Sequence, residues 1–542
     1  MTRRDLLKTP AMLAAAGSTA CMRTRELAPA AAWQRDGSFE LSELTLGELG
    51  SGLKSGRWSV RGLVERYLER IDALDRRGPH LGAVIELNPD ARSIAESLDR
   101  ELRAGKSRGP LHGMPVLVKD NIETRDRMMT TAGSLALEGH YASQDAPIVK
   151  RLRDAGVVIL GKTNLSEWAN FRSSRSVSGW SGRGLQTRNP YALDRNPSGS
   201  SSGSGAATAA CLCAASVGTE TDGSIVSPSS LNGLVGIKPT VGLLSRTGII
   251  PISHTQDTAG PMTRTVRDAA LLLTAMAGVD PADAATQAAA GHIQSDYTRY
   301  LAADGLKGAR VGVARKLFTN NPEVTRLIEG ALDAMKKAGA EIIDPADLPS
   351  QGQMDHTEFQ VLSYEFKAGL NAYLGQLGPG ARVHSLADVI AFNERNRDRE
   401  MPIFGQEDFE YCEKKGPLTD QAYLDALAKC RKLSRDEGVD AVAAKYKVDA
   451  IVAPTSGPAW LIDYVNCDAD VGGCSSPAAV AGYPHITVPA GFVRGLPVGV
   501  SFFGPAWSEP VLLKLAYAYE QLTKARRAPR FLPTVPLTES RL

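Results

Sequence analysis

The chain has 542 residues, of which 43% are hydrophobic and 23% are charged, and its formal net charge at pH 7 is +2. This composition is typical of a globular protein with a large core and excludes a disordered or fibrous chain. The charges nearly balance and no basic run stands out, so we expect no nucleic-acid partner.

The N-terminus has the features of an export signal. Arg3 and Arg4 precede a Leu-Leu-Lys sequence and a mildly apolar stretch over residues 10–20. This order predicts a signal peptide of the twin-arginine type over residues 1–30, and the apolar stretch is too short to span a bilayer. We therefore expect a periplasmic or secreted protein with its folded domain over residues 31–535.

Two cleavage sites compete within this segment. Cys21 follows Ser18-Thr19-Ala20, which resembles a lipoprotein site, although Ser18 stands where such sites usually carry leucine. Ala28-Pro29-Ala30 is the small-residue alternative. Membrane attachment is expected only if Cys21 is lipidated, and the sequence leaves that question open.

Helices and short buried strands alternate through the first half of the chain. Apolar residues recur at helical spacing from Ser59 to Leu74, and a second helix is predicted near Ala91–Leu102. Val116–Val118 and Val157–Leu160 have the length and branching of buried strands. An alanine-rich helix is predicted from Ala206 through Val217. Alternation of this kind predicts an α/β layered fold.

The second half begins with a polar, helical stretch over residues 285–435, which we interpret as a cap or insertion around the core. Strand patterns then return in the sequence VDAIVAPT, at Ile486–Val488 and at Val498–Phe503. We therefore expect both halves of the chain to build one sheet.

The cysteine pattern predicts no zinc site, because no Cys/His spacing of the required kind is present. Cys211 and Cys213 lie in the predicted alanine-rich helix and have the character of small core residues. Cys467 and Cys474 flank a loop rich in glycine and aspartate. An oxidising compartment permits them to pair, and two free thiols are the alternative.

The Ser/Gly-rich stretch from Ser198 to Thr208 invites three interpretations. A flexible linker is disfavoured because the stretch runs directly into a buried helix, and a phosphate-binding loop is excluded because the required glycine and lysine spacing is absent. The letters of Gly199–Gly203 match G-x-S-x-G, a nucleophile elbow with Ser201 as the nucleophile. That motif requires a preceding hydrophobic strand, which is missing here, so a Ser-His-Asp esterase remains the runner-up.

A second candidate nucleophile is Ser224, in the stretch Gly218–Pro228. Its small neighbours allow backbone N–H groups to converge on an oxyanion, but a serine needs a base. No histidine lies in a convincing motif, and His485, beside a predicted strand, is interpreted as structural. Lys119 ends the apolar run of a predicted strand, where burial would lower its pKa and make it a base. The alternative is a surface ion pair with Asp120.

Together, the sequences GMPVLVKDNI, GSSSGSGAA, GTETDGSI and AGYPHITVPAGF resemble the amidase signature family, in its order and spacing, over roughly residues 40–530. The resemblance implies a single large α/β domain whose central mixed sheet has helices on both faces. It also implies amide hydrolysis through an acyl-enzyme, with Lys119, Ser200 and Ser224 as the Ser-Ser-Lys catalytic group and with neither a metal nor an organic cofactor.

The resemblance assigns further roles near these residues. Backbone N–H groups of Thr221, Asp222, Gly223 and Ser224 would form the oxyanion hole, and the Gly199–Ser200 peptide bond would be cis. Two residues are candidates for a supporting role. Thr219 could orient Ser200, with a plain turn residue as the alternative, and Ser201 adjoins Ser200.

Several departures from the family pattern bear on the substrate. Ser198 and Ser202 replace glycines of the serine-rich motif, and Glu220 and Asp222 replace residues of the nucleophile loop. With the sequence GWSGRGLQTRNP, these departures resemble the bacterial peptide amidases, which remove the C-terminal amide of peptides. The alternatives are an amidase of small aliphatic or aryl amides, a tRNA-transamidating subunit, which the predicted export disfavours, and a periplasmic binding protein with a degenerate site.

Overall fold

Eleven strands form the main sheet in the part of the chain that the computed structural model describes, residues 39–536. These residues belong to one compact unit, Phe39–Leu542, and the predicted signal peptide and Cys21 lie outside the described residues. The strands of the described part are β1 (Val84–Leu87), β2 (Pro115–Lys119), β3 (Val158–Thr163), β4 (Trp180–Ser181), β5 (Leu185–Gln186), β6 (Ala215–Glu220), β7 (Val235–Lys238), β8 (Thr258–Thr263), β9 (Arg310–Val313), β10 (Glu341–Ile343), β11 (Ala450–Pro454), β12 (His485–Val493) and β13 (Leu496–Phe503).

The main sheet is mixed, with the order β1-β3-β2-β6-β8-β7-β12-β13-β11-β9-β10, and β4 and β5 form a separate hairpin. Strands β3, β2 and β6 run parallel to one another, as do β11, β9 and β10, whereas the middle of the sheet is antiparallel. Both halves of the chain therefore build one sheet, as predicted.

Helices pack around this sheet to complete a single large α/β domain, which confirms the predicted fold class. Among residues 39–536, no helix combines the length and the apolar character needed to cross a membrane. The helices of the described part are α1 (Leu46–Lys54), α2 (Val60–Ile71), α3 (Ala91–Arg103), α4 (Pro147–Asp154), α5 (Ser202–Ala209), α6 (Val226–Leu231), α7 (Val266–Met276), α8 (Pro322–Lys337), α9 (Asp355–Leu374), α10 (Leu386–Arg395), α11 (Arg397–Glu400), α12 (Glu407–Glu413), α13 (Gln421–Arg431), α14 (Asp440–Tyr446), α15 (Ser476–Ala481) and α16 (Glu509–Thr523).

Local chemistry explains the elements that were predicted correctly. Ser59 caps α2 by accepting a hydrogen bond from the Gly62 N–H, and the apolar stripe of α2 is buried. Strands β2 and β3 are buried along their whole length. A continuous apolar run is expected for a strand covered on both faces of a parallel sheet.

The predicted helix from Ala206 through Val217 is wrong in its second half. Helix α5 ends at Ala209, Cys211 has a left-handed φ of 56°, and the chain then enters β6. Alanine favours a helix locally, but pairing with β2 and β8 gives this segment backbone partners on both sides. Cys211 and Cys213 are buried core residues, as expected, in the connection between the two elements.

The predicted cap over residues 285–435 is wrong in its first part. Strands β9 and β10 lie within this range and extend the main sheet, with α8 between them. Helices α9 to α13 form the helical region, and apolar residues of α9, α10 and α12 pack in one cluster with residues from the first half of the chain, such as Trp168 and Ile250. The polar composition misled the prediction because β10, at the edge of the sheet, has no fully buried residue.

Cys467 and Cys474 are both free thiols, so the second of the two alternatives is correct. His485 is buried, its Nε2 lies 2.5 Å from Ser501 Oγ, and burial lowers its pKa to about 3. A neutral, buried imidazole on β12 agrees with the structural role that we predicted.

A buried charge cluster joins the helical region to the core. Arg172 Nη1 lies 2.9 Å from Glu167 Oε1 and also donates to the backbone oxygen of Glu400, the last residue of α11. The Arg172 guanidinium lies over Phe404, with Cζ 4.3 Å from the ring centroid. All three charged side chains are 1% exposed or less, so the arginine compensates two carboxyl groups that water does not reach.

Replacing this arginine tests how the helical region is held. Arg172→Met leaves Glu167 and Glu400 buried without a cation, and we expect a loss of about 3–5 kcal/mol in the free energy of unfolding. Arg397→Met is the matched control, because the ion pair of Arg397 with Glu394 is solvent-exposed. Thermal unfolding should show a lower Tm for Arg172→Met alone; equal Tm values for the two variants would contradict this account.

Candidate active site

Lys119 ends strand β2 and has no solvent exposure. Its Nζ lies 2.8 Å from Ser200 Oγ, 2.8 Å from Thr219 Oγ1 and 3.2 Å from the Thr219 carbonyl oxygen. The parallel neighbour β6 carries Thr219 to the same edge of the sheet. The predicted contact between Lys119 and Ser200 is therefore present.

The environment of Lys119 favours the uncharged amine. Burial lowers its pKa to about 7, while the negative charges of Asp257 and Glu220 act in the opposite direction. The alternative ion pair with Asp120 is wrong. The Asp120 carboxylate accepts hydrogen bonds from Thr131 Oγ1 and from the Gly133 N–H, and it lies 3.5 Å from Arg183.

Ser200 lies in the loop that leads into α5, and the Gly199–Ser200 peptide bond is cis, as the resemblance implies. Gly199 is held where no side chain fits, because a Cβ atom there would lie 2.2 Å from Ser166 Oγ. The Ser166 N–H also donates to the Ser200 carbonyl oxygen at 3.1 Å. The Ser/Gly stretch is thus a packed wall of the site rather than a linker.

Ser224 is the most accessible of the three predicted catalytic residues. Its exposed fraction is 9%, compared with 1% for Ser200 and 0% for Lys119. The Ser201 N–H donates to the Ser224 carbonyl oxygen at 3.2 Å, which joins the Ser/Gly loop to the Ser224 loop. The exposed fraction therefore increases from Lys119 through Ser200 to Ser224.

The loop over residues 221–224 presents free backbone donors. None of the backbone hydrogen bonds in the described part of the chain uses the N–H groups of Asp222, Gly223 or Ser224. Gly223 has a φ of +80°, which a residue with a side chain adopts only with strain. Glu220 accepts hydrogen bonds from the Ile225 and Val226 N–H groups at 2.7 and 2.9 Å, and so holds the start of α6.

The side chains of Thr221 and Asp222 have polar partners outside the loop. The Thr221 hydroxyl donates to Asp257 Oδ1 at 2.6 Å. The Asp222 carboxyl has a raised pKa because it is buried, and it interacts with Ser475, Ser476 and Glu358. The unusual Asp222 side chain therefore belongs to a polar cluster between the loop and α9.

Thr219 and Ser201 support the site in ways that the sequence predicted only in part. Thr219 lies in β6 rather than in a turn, and it contacts Lys119 rather than Ser200. Ser201 is fully buried, and its hydroxyl donates to the Thr219 carbonyl oxygen at 3.0 Å. No strand directly precedes Ser201 in the described chain, so the elbow interpretation is wrong.

Asn121 is a residue of the site that sequence reasoning missed. Its Nδ2 donates to Thr219 Oγ1 at 3.0 Å, and it lines a cavity of about 250 Å³ together with Thr219, Thr221 and Asp257. Its place two residues after Lys119, within the sequence GMPVLVKDNI, was the available signal. Within residues 39–536, no group of three or more His, Cys, Asp or Glu side chains could hold a metal ion.

Comparison with known proteins places the chain in a family. The family model described as Amidase matches residues 62–513. A probable amidase of Arabidopsis thaliana is 44% identical over 504 residues, which cover 91% of this chain and 93% of the plant protein.

Two solved structures of peptide amidase are also similar. The native enzyme from Stenotrophomonas maltophilia is 52% identical, with a TM-score of 0.87 over 91% of this chain and 99% of that one. A complex of the peptide amidase PAM with the competitive inhibitor chymostatin is 52% identical, with a TM-score of 0.88 over 90% of this chain and 99% of that one. The chain therefore belongs to the amidase signature family and is a hydrolase of amide C–N bonds.

Proposed function

We propose that this enzyme hydrolyses primary carboxamides, above all the C-terminal amide of peptides, through a Ser-Ser-Lys acyl-enzyme mechanism that releases ammonia. One observation carries the mechanism, which is the contact of 2.8 Å between the buried Lys119 Nζ and Ser200 Oγ. An uncharged lysine in this position has a lone pair with which to accept a proton from the serine.

In the first half-reaction, Lys119 accepts the Ser200 proton while Ser200 accepts the Ser224 proton. Ser224 Oγ then forms a bond to the carboxamide carbon. Backbone N–H groups of the loop over residues 221–224 stabilise the negative charge on the former carbonyl oxygen. The relay returns the proton to the nitrogen, the C–N bond breaks, and ammonia leaves the Ser224 ester.

In the second half-reaction, water takes the place of ammonia. The relay removes a proton from water as the water oxygen attacks the ester carbon. The Ser224–carbon bond then breaks, the proton returns to Ser224, and the carboxylic acid leaves. Each cycle restores the starting protonation state, and the proposal uses neither a metal ion nor an organic cofactor.

Similarity to peptide amidase supports the substrate class. The solved peptide amidases match along nearly their whole length at 52% identity, and one of them binds chymostatin as a competitive inhibitor. An amidase of small aliphatic or aryl amides is the second candidate, since the plant relative is described only as a probable amidase. We also propose export by the twin-arginine route, which would keep the enzyme away from charged tRNA.

The nucleophile assignment predicts the effect of one substitution. Ser224→Ala should reduce kcat by a factor on the order of 10⁴ or more, because the relay then has no nucleophilic oxygen to attack the carboxamide carbon. A fluorophosphonate probe should label wild-type enzyme at Ser224, as mass spectrometry of the peptides can establish. Ser93→Ala is the matched control, in an exposed position of α3. Labelling that persists in Ser224→Ala would refute the assignment, and an unlabelled wild type would favour a mere binding protein.

The lysine assignment predicts a pH profile. Lys119 must be uncharged to act, so kcat/KM should be constant well above pH 7 and fall about tenfold per pH unit below it, given a pKa of about 7. Lys119→Met should abolish turnover. Lys162→Met is the matched control, because Lys162 is equally buried but donates to the Ile122 carbonyl oxygen and to Thr130. Wild-type rates that stay constant down to pH 5 would contradict a neutral lysine base.

The substrate assignment can be tested by ammonia release. Purified enzyme should release ammonia from peptide amides and from small amides at different rates. The kcat/KM for peptide amides should be at least about tenfold above the kcat/KM for small aliphatic and aryl amides. Esters of the same acids serve as the control for acyl transfer without a nitrogen leaving group. Equal rates on peptide amides and small amides would favour the broad-specificity amidase.

A further inference from the structure

The position of Asn121 raises the question of how the lone pair of Lys119 is aimed. Asn121 is 2% exposed. The Ile250 N–H donates to the backbone carbonyl oxygen of Asn121 at 2.9 Å and so fixes the backbone at this position. Its carboxamide Nδ2 lies 3.0 Å from Thr219 Oγ1, the same oxygen that lies 2.8 Å from Lys119 Nζ. Asn121 is thus one hydroxyl group away from the amine.

Besides its bond to Cε, a neutral Lys119 Nζ has three tetrahedral positions, and it has three hydrogen-bonding contacts to fill them. A neutral amine has two N–H donors and one lone pair. The Thr219 carbonyl oxygen can only accept, so it takes one N–H. The lone pair is therefore directed either at Ser200 Oγ or at Thr219 Oγ1, and only the first direction allows proton transfer from Ser200.

The Thr219 hydroxyl decides between these two directions. If the Thr219 hydroxyl proton points at Lys119, that proton occupies the Lys119 lone pair. If the Thr219 proton points elsewhere, Thr219 Oγ1 accepts the second Lys119 N–H, and the Lys119 lone pair faces Ser200. The Thr219 proton therefore needs another acceptor. Within residues 39–536, Asn121 Oδ1 is a buried oxygen that has no hydrogen-bond partner.

Rotation of the Asn121 amide by half a turn places Oδ1 where Nδ2 lies, at hydrogen-bond distance from the Thr219 hydroxyl. This rotation gives both groups a partner, because the buried oxygen gains a donor and the Thr219 proton gains an acceptor. It moves the Asn121 NH₂ group to the position that Oδ1 holds, in a side chain that lines the 250 Å³ cavity.

We propose that Asn121 is a positioning residue of the hydrolysis, which holds the Thr219 proton away from Lys119 so that the Lys119 lone pair faces Ser200. The inference rests on the proposed function, since it assigns a role relative to the lysine base. Asp257 and Glu220 are the charged groups that act on Lys119, and Arg246 and His254 line the cavity beside Asn121.

Two substitutions at position 121 separate this role from simple packing. Asn121→Leu has nearly the same size but no acceptor, and it should lower the kcat plateau at alkaline pH about tenfold with little change in KM. Asn121→Asp keeps an acceptor for the Thr219 proton, so its plateau should stay within about threefold of wild type. Its added negative charge should move the acidic limb of kcat/KM up by roughly one pH unit, by stabilising charged Lys119.

A double-mutant cycle tests whether Asn121 acts through Thr219. Thr219→Val removes the hydroxyl, and Asn121→Leu should cause no further loss of kcat in that background. Asn88→Leu is the matched control, because Asn88 is a buried asparagine whose partners are the Ile159 carbonyl oxygen and the Asp90 N–H. If Asn121→Leu does not fold, Asn121→Ala allows the same comparison.

The outcomes distinguish this proposal from the proposed function. The role of Asn121 would be overturned if the kcat plateau of Asn121→Leu were unchanged, or if Asn121→Asp and Asn121→Leu lost kcat equally. In either case wild type would still show the acidic limb of kcat/KM, so the lysine base would stand. Absence of that limb in wild type, measured also as the rate of fluorophosphonate labelling at Ser224, would instead count against the lysine base itself.

Discussion

The removal of one lysine amine from water is the constraint on which the site depends. Lys119 ends a strand that is buried between two parallel neighbours, β3 and β6. Burial of the ammonium form costs more than burial of the neutral amine, so the fold itself brings the pKa near neutrality. The proposed chemistry requires this dry position, since a lysine in water remains charged at pH 7 and has no lone pair to offer.

Two carboxylates, Glu220 and Asp257, lie close enough to raise the pKa of Lys119, but both form their hydrogen bonds with other groups. Glu220 accepts the N–H groups at the start of α6, and Asp257 accepts the Thr221 hydroxyl and the Ile252 and Ser253 N–H groups. Neither forms an ion pair with Lys119 among the described residues. A direct ion pair would keep the lysine charged, so this division of hydrogen bonds both shapes the Ser224 loop and preserves the base.

The sequence predicted much of the fold because buried strands and capped helices have local patterns. Strands β2 and β3 were predicted from short apolar runs, and α2 from its apolar stripe and Ser59. Strand β6 was missed since its alanine, serine and glycine residues have no strand preference, and it forms only because β2 and β8 pair with it. The same limit hid β9, which pairs with β11 across more than a hundred residues, and β10, which pairs with β9.

By itself, the sequence determined which chemical groups are available: an amine after an apolar run, serines among glycines, and a loop of small residues ahead of a helix. Those features are local, so they can be recognised from neighbouring residues in the sequence alone. Only the tertiary structure decided that Lys119 faces Ser200 and Thr219 instead of Asp120, that Ser201 is a buried support, and that Asn121 adjoins the amine. These relations join residues on different strands and loops, and packing of the sheet, rather than spacing along the chain, sets the distances between them.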